Sequence, residues 1–272
     1  MVNEKMLQEK KVSEAFSRQS FSFDEIYENN PITLLMREKA RNEVLKYIRP
    51  GAQMLELNCG TGIDTMFFAR KGFEILATDN ADGMLEQLSE KLQGTWLRDL
   101  VSLQKCSFND LLQIGNQQFD YVFSNFSGLN CTNDLAGVLK DVDALLKPGG
   151  YFTFVIMPRI CPWEIIMLLR NRKKMALRRF QKNGALAHIE GAYFSCYYYD
   201  PSFIIENMGS GYTLCSLTGL ASLMPPPSME YFPVKYPKLF SFLRKAEDVV
   251  CHIFPFNRWC DQYIITMRKA TG

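Results

Sequence analysis

The segment that most constrains this chain is Glu56-Leu57-Asn58-Cys59-Gly60-Thr61-Gly62. It follows the start of a short apolar run at 54–57 and leads into a helix-like stretch that reaches Lys71-Gly72. A second apolar run, 74–78, then closes on Asp79. Strand, helix and strand in this order form a β-α-β unit, whose crossover makes the two strands parallel. The alternation continues through a helix at 84–92, strands at 101–105 and 121–124, a helix at 135–146, the turn Lys147-Pro148-Gly149-Gly150 and a strand at 151–157. Ahead of it, Leu34, Leu35, Val44, Leu45 and Ile48 mark a helix that starts at Pro31 and stops at Pro50-Gly51. This pattern predicts an α/β fold, a mostly parallel sheet with helices on both faces.

The pattern breaks after Pro158. The 163–169 stretch is apolar, and 159–182 holds eight basic residues against one acidic residue, Glu164. An aromatic run at 193–199 precedes Asp200-Pro201, which opens a helix at 202–208. A strand at 212–217, a helix near 239–252 and a strand at 263–267 follow. Four parts result: an N-terminal segment 1–30, a core 31–157, an excursion 158–210 and a C-terminal part 211–272.

Composition removes several function classes. A chain of 272 residues with 47% hydrophobic content buries roughly 75% of its unfolded surface and needs no disulfide or structural metal. Its net charge of +2 provides no global attraction to nucleic acid or to an anionic surface. The eight cysteines include no C-x-x-C pair and read as reduced thiols of a cytoplasmic protein. The two histidines, His188 and His252, lack ligand-spaced companions, so no metal site is expected.

In an open parallel sheet the ligand lies beyond the carboxyl ends of the strands. Gly60 and Gly62 remove side chains where the backbone approaches that ligand, and Asp79 is placed to accept both ribose hydroxyls. A nicotinamide dinucleotide wants a third glycine three residues past Gly62, where this chain has Thr65. No basic residue lies near the loop, so the pocket reads as one for a nucleoside without phosphates.

With Phe119-Asp120-Tyr121-Val122 and Leu146-Lys147-Pro148-Gly149-Gly150 added, the series resembles the motifs of class I S-adenosylmethionine-dependent methyltransferases, in order, over about 31–157. The resemblance implies a Rossmann-like sheet of seven strands, an N-terminal lid, an insertion after the fifth strand, and S-adenosylmethionine as cofactor. It puts Glu56, Asn58, Gly60 and Gly62 at the methionine part, Asp79 at the ribose, and Asn80 and Met84 at the adenine edge. Asn125 falls at the methionine amine and Phe126 at the catalytic mouth. The family often has Asp after the third strand; here the stretch is Cys106-Ser107-Phe108-Asn109, so Ser107 or Asn109 takes that place beside Phe108. The leader Val12-Ser13-Glu14-Ala15-Phe16 with Phe23-Asp24-Glu25-Ile26-Tyr27 is similar to that of quinone-ring and biotin-pathway methyltransferases. That likeness implies Tyr27 near the sulfonium and Arg37 or Arg41 near the cofactor carboxylate.

The expected reaction is methyl transfer by in-line displacement to an apolar or aromatic small molecule at O, N or C. His188 and Tyr27 are the catalytic candidates, and Phe126, Trp163, Tyr193 and Tyr197 the candidates for the acceptor pocket. The cations of 159–182 read either as a solvated face or, with the apolar half before them, as a cap over the acceptor site within 158–210, a contact for an acidic carrier protein or one for an anionic membrane surface. Two alternatives are methylation of a macromolecule and cofactor binding without catalysis. Nucleic acid is disfavoured as substrate, since Asn125-Phe126-Ser127-Gly128 lacks the two prolines of amino-methylating DNA enzymes.

Overall fold

The structure is a computed structural model and describes residues 2–271. Two helices open the chain, α1 (Val2–Glu28) and α2 (Pro31–Val44). Asn30 caps α2 by accepting the N–H groups of Ile32 and Thr33 at 3.0 and 3.2 Å, with Pro31 in the first turn, where its missing N–H is not needed. The alternating unit follows as β1 (Gln53–Leu57), α3 (Ile63–Ala69), β2 (Glu74–Asp79), α4 (Asp82–Leu92), β3 (Val101–Lys105), β4 (Phe119–Ser124), α5 (Leu135–Leu145) and β5 (Leu146–Ile156). The excursion contributes α6 (Pro162–Ile165), α7 (Lys173–Ala176) and a hairpin of β6 (Ala185–Ile189) and β7 (Ala192–Cys196). The chain ends with α8 (Pro201–Met208), β8 (Tyr212–Leu220), α9 (Phe232–Lys235), α10 (Pro237–Val250) and β9 (Gln262–Lys269).

Seven strands form one sheet in the order β3-β2-β1-β4-β5-β9-β8. The first five run parallel, β9 is antiparallel to β5, and β8 is antiparallel to β9. Side chains of β1 alternate between two cores, as strand geometry requires. Met54 joins Ile75, Tyr121, Phe123, Phe68 of α3 and Leu88 of α4. Leu55 and Leu57 join Val122, Phe154, Val138 of α5 and Ile204 of α8. Burial on both faces explains why these strands read as continuous apolar runs. The chain direction switches sides between β1 and β4, and the site lies there, beyond the carboxyl ends of these strands.

The helix expected from Pro31 to Pro50 ends at Val44. The strand expected at 121–124 starts two residues earlier, at Phe119. The excursion returns to the sheet sooner than its 158–210 boundary, because α8 packs in the same core as α5.

Candidate active site

A first cavity is bounded by the ends of β1, β2 and β4, the turn after β3 and the inner face of α1. Its lining includes Tyr27, Arg37, Glu56, Asn58, Gly60, Asp79, Asn80, Met84, Ser107, Phe108, Asn109, Asn125 and Phe126. The structure therefore brings the expected cofactor residues together except Gly62 and Arg41, the alternative to Arg37. A Cβ at Gly62 would stand 2.1 Å from Leu88 Cδ1, and its φ is +80°. That glycine is required by helix packing and backbone handedness, not by a ligand. A Cβ at Gly60, whose φ is +57°, would meet the ring of Phe23 at 3.6 Å and Met84 Sδ at 3.9 Å, both ordinary contacts. Gly128 is a close-approach glycine that sequence reasoning missed: a Cβ there would lie 2.4 Å from Asn58 Cγ.

Local hydrogen bonds fix the lining. Asp79 accepts the N–H of Gly60 and of Ala81, each at 2.9 Å. Burial pushes its carboxyl up, and these bonds work against that. Asn58, with φ +47°, donates to the Asn125 carbonyl at 3.0 Å and accepts the Ser124 hydroxyl at 2.6 Å, which ties β1 to β4. Asn109 is occupied elsewhere: its amide donates to Glu9 of α1 at 2.8 Å, and its oxygen accepts the Thr132 hydroxyl at 2.6 Å. Ser107 accepts the Asn109 N–H at 3.1 Å, leaving its own hydroxyl proton uncommitted.

The charge of the cavity is acidic. Glu9, Glu56, Asp64 and Asp79 line it against one guanidinium, Arg37. Arg37 is already paired, donating to Asp64 at 2.5 Å, while Arg41 donates to the other Asp64 oxygen at 2.6 Å. Burial pushes the Asp64 carboxyl up, but Arg37, Arg41 and the Asn125 amide outweigh it and hold it below the ordinary range. Glu56 accepts the Thr65 hydroxyl at 2.6 Å. Burial and the neighbouring Asp64 push Glu56 up to about 8. Asp64 is shared by Arg37 and Arg41, and Glu56 holds its proton near neutral pH, so the carboxyls left to face a ligand are those of Glu9 and Asp79, which disfavour a phosphate.

The N-terminal helix roofs this cavity with Val12, Phe16, Phe23 and Tyr27. Polar contacts hold it: Thr61 donates to Asp24 at 2.5 Å, Lys91 pairs with the same carboxylate, and Ser13 donates to the Asn80 carbonyl at 2.8 Å. Further along, the Gln8 amide makes two bonds to the backbone of Ser195 in β7, at 2.8 and 3.1 Å. One helix thus spans the cofactor loop and the excursion hairpin.

A second cavity lies past Tyr27 and Phe126, which border both. Thr33, Met157, Trp163, Met175, Pro226, Met229 and Gln262 line it, with Glu164, Arg178 and Asp261. Of the expected acceptor residues, Phe126 and Trp163 are here. Tyr193 and Tyr197 line neither cavity; Tyr193 is 55% exposed on the hairpin. His188 also lines neither: it is exposed on β6 with its ring 4.5 Å from that of Tyr193. The two residues face each other across the hairpin, and both are exposed. Burial pushes the Tyr27 hydroxyl up despite Arg37, so Tyr27 stays a neutral phenol and is no base near neutral pH.

The basic stretch divides in two. Arg179 is 2% exposed; it donates to Glu164 at 2.8 Å and to Asp261 at 2.7 Å. Arg178 makes two bonds to Glu164 at 2.8 and 2.7 Å. Burial raises the Glu164 carboxyl, yet Arg178 and Arg179 more than offset this and hold it low. These two cations brace the floor of the second cavity, while Arg172, Lys173 and Lys174 are exposed. Cys161, Glu164 and Asp261 bring potential metal-ligand atoms within 4.8 Å of one another, but Arg178 and Arg179 together already neutralise both carboxylates.

The profile of a family described as a methyltransferase domain matches residues 54–150. The chain is 28% identical over 118 residues to an uncharacterized methyltransferase of Synechocystis sp., covering 43% of this chain and 52% of that protein. It is 29% identical over 147 residues to demethylmenaquinone methyltransferase of Lactococcus lactis, covering 52% and 56%. The chain thus spans about half the length of the curated relatives it matches. Among solved structures, 1,6-didemethyltoxoflavin-N1-methyltransferase of Burkholderia thailandensis, with bound 1,6-didemethyltoxoflavin and S-adenosylhomocysteine, has a TM-score of 0.59 at 16% identity, covering 96% of this chain and 88% of that chain; this is a likeness of fold. Residues 54–150 thus form a methyltransferase domain, and the motif series around Gly60 and Asp79 together with the seven-stranded sheet resemble those of the class I S-adenosylmethionine-dependent methyltransferases.

Proposed function

We propose that this protein transfers a methyl group from S-adenosylmethionine to an apolar or aromatic small molecule seated in the second cavity. The observation that carries the reading is the shared wall: Tyr27 and Phe126 border both an acidic, nucleoside-sized pocket and a second one, where Met157, Trp163, Met175 and Met229 stand beside ion-paired Glu164, Arg178 and Asp261. Bound in the first cavity, S-adenosylmethionine supplies an electrophilic methyl on a sulfonium. Asp79 accepts the ribose hydroxyls, and Ser107 serves the adenine edge. α1 excludes water from above. Holding donor and acceptor in line supplies roughly 7–11 kcal/mol of barrier reduction.

Among the described residues, no histidine, lysine or cysteine lines the second cavity; its two carboxylates, Glu164 and Asp261, are ion-paired, and Glu164 is held low. An acceptor that provides its own nucleophile fits this lining: an amine, an ionised phenol or an enolisable carbon. Gln262 is 8% exposed, and its Oε1 is buried without a hydrogen-bond partner, so an N–H or O–H on the acceptor would satisfy it.

Titration calorimetry with S-adenosylmethionine and its demethylated product, followed by incubation of labelled cofactor with cell extract, tests the reading. Binding that is lost in Asp79→Ala, together with label in a small apolar product, is the expected result. Absence of binding heat with Asp79 intact overturns it, and label in a protein band would favour a macromolecular acceptor.

A further inference from the structure

Helix α10 has an unusual distribution of side chains. Its inward positions are Phe240, Leu243, Glu247 and Val250, and Glu247 is the one buried residue among them. A second apolar row, Leu239, Phe242 and Val249, follows helical spacing on another face and continues to Ile253. These are 48%, 66%, 71% and 56% exposed. Just upstream, Val234 of α9 is 81% exposed.

The charges around this row are of one sign. Lys235, Lys238, Arg244 and Lys245 are exposed, and none of them is in an ion pair among the described residues. The two carboxylates of the helix are spent elsewhere. Glu247 accepts the N–H groups of Ala221, Leu223 and Met224, and Asp248 pairs with Lys39 at 2.7 Å. Glu230 is the nearby exposed acid. The segment also adjoins the second cavity: Met229 lines it, and the Phe232 ring stands 6.1 Å from that of Trp163, another lining residue.

We propose that the outer face of α9 and α10 docks on an anionic lipid bilayer beside the mouth of the acceptor cavity, so that an apolar acceptor reaches that cavity from the lipid. The acceptor clause rests on the proposed methyl-transfer reading; the docking clause does not. An apolar helical stripe flanked by lysines lies at a headgroup boundary with its stems along the interface. A second copy of this chain suits the face less, because a two-fold contact would bring eight uncompensated cations together. Of the excursion's cations, Arg178 and Arg179 are ion-paired within the protein and take no part.

The test is co-sedimentation of the full chain with phosphatidylcholine vesicles, with and without phosphatidylglycerol, alongside calorimetry with S-adenosylmethionine. Binding to the anionic vesicles is expected, with loss of at least tenfold in Phe242→Ser/Val249→Ser. Lys238→Gln and Lys245→Gln should each weaken anionic binding about fivefold. Cofactor heats should be unchanged in all variants. The proposal is overturned if the wild type ignores anionic vesicles, if the variants bind as well as wild type, or if sedimentation velocity shows a dimer that these substitutions dissolve. Lost cofactor binding with retained vesicle binding would sink the methyl-transfer reading alone.

Discussion

The Tyr27 ring stands edge-on to the Phe126 ring with centroids 5.8 Å apart, and this pair is the partition between the two cavities. Arg37 stacks on the other side of Phe126, 4.4 Å from its centroid, so the partition is held by the same guanidinium that pairs with Asp64. Phe126 has φ +49° and Ser127 φ +60°, an uncommon pair of left-handed residues that turns the chain sharply after β4.

This arrangement predicts that the Tyr27 ring matters and its hydroxyl does not. Tyr27→Phe should keep turnover within about threefold, because a phenol held neutral offers no proton acceptance. Tyr27→Ala should lower kcat by about 100-fold through loss of alignment, with cofactor affinity changed far less. Steady-state kinetics on both variants checks it; a dead Tyr27→Phe would restore Tyr27 as a catalytic group.

Glu56 predicts a pH signature. Its folded pKa is raised to about 8 from an ordinary 4.5, so between those values the folded protein holds a proton that the unfolded chain releases. Its contribution therefore lowers stability as pH rises through this window. Glu56→Gln should flatten that slope in thermal unfolding. A cationic ligand favours the ionised carboxylate, so binding near about pH 6 should release about one proton. Calorimetry in buffers of different ionisation enthalpy should show this in wild type and not in Glu56→Gln.

The glycine pair separates packing from binding. Gly62→Ala should cost about 2 kcal/mol or more, through left-handed strain and the clash with Leu88. Gly60→Ala shares the left-handed strain, with φ +57°, but meets only ordinary contacts; it should cost about 1 kcal/mol, less than Gly62→Ala, and lose cofactor affinity as well. Chemical denaturation and calorimetry read the two effects independently.

The divided basic stretch gives a contrast in stability. Arg179→Met leaves Asp261 and Glu164 short of their buried partner and should destabilise by about 3–5 kcal/mol. Lys173→Ser and Lys174→Ser should fall within about 0.5 kcal/mol of wild type. Equal midpoints across the three variants would show that Arg179 carries no structural weight.

The cofactor half of the site was legible because its residues sit in short strings at strand ends. Gly60, Asp79 and Asn125 each follow an apolar run that can only be a buried strand, and topology then gathers them. The acceptor half was not legible in the same way. Met157, Pro226 and Gln262 meet across long sequence separations, and no local pattern marks them. His188 was singled out because it is chemically rare; the direction of its hairpin is set by packing against α1. Arg179 looked like any cation in a charge run, because its carboxylate partners stand 15 and 82 residues away.

That last distance bears on how this chain can be recombined. The Arg179–Asp261 contact fastens the excursion to the residue just before the final strand, so the two segments are matched parts. A chimera that took residues 158–210 from another methyltransferase would leave Asp261 facing a foreign side chain in a closed space. Any exchange of the excursion must therefore be built around a fixed guanidinium at position 179, or replace both ends of that contact together.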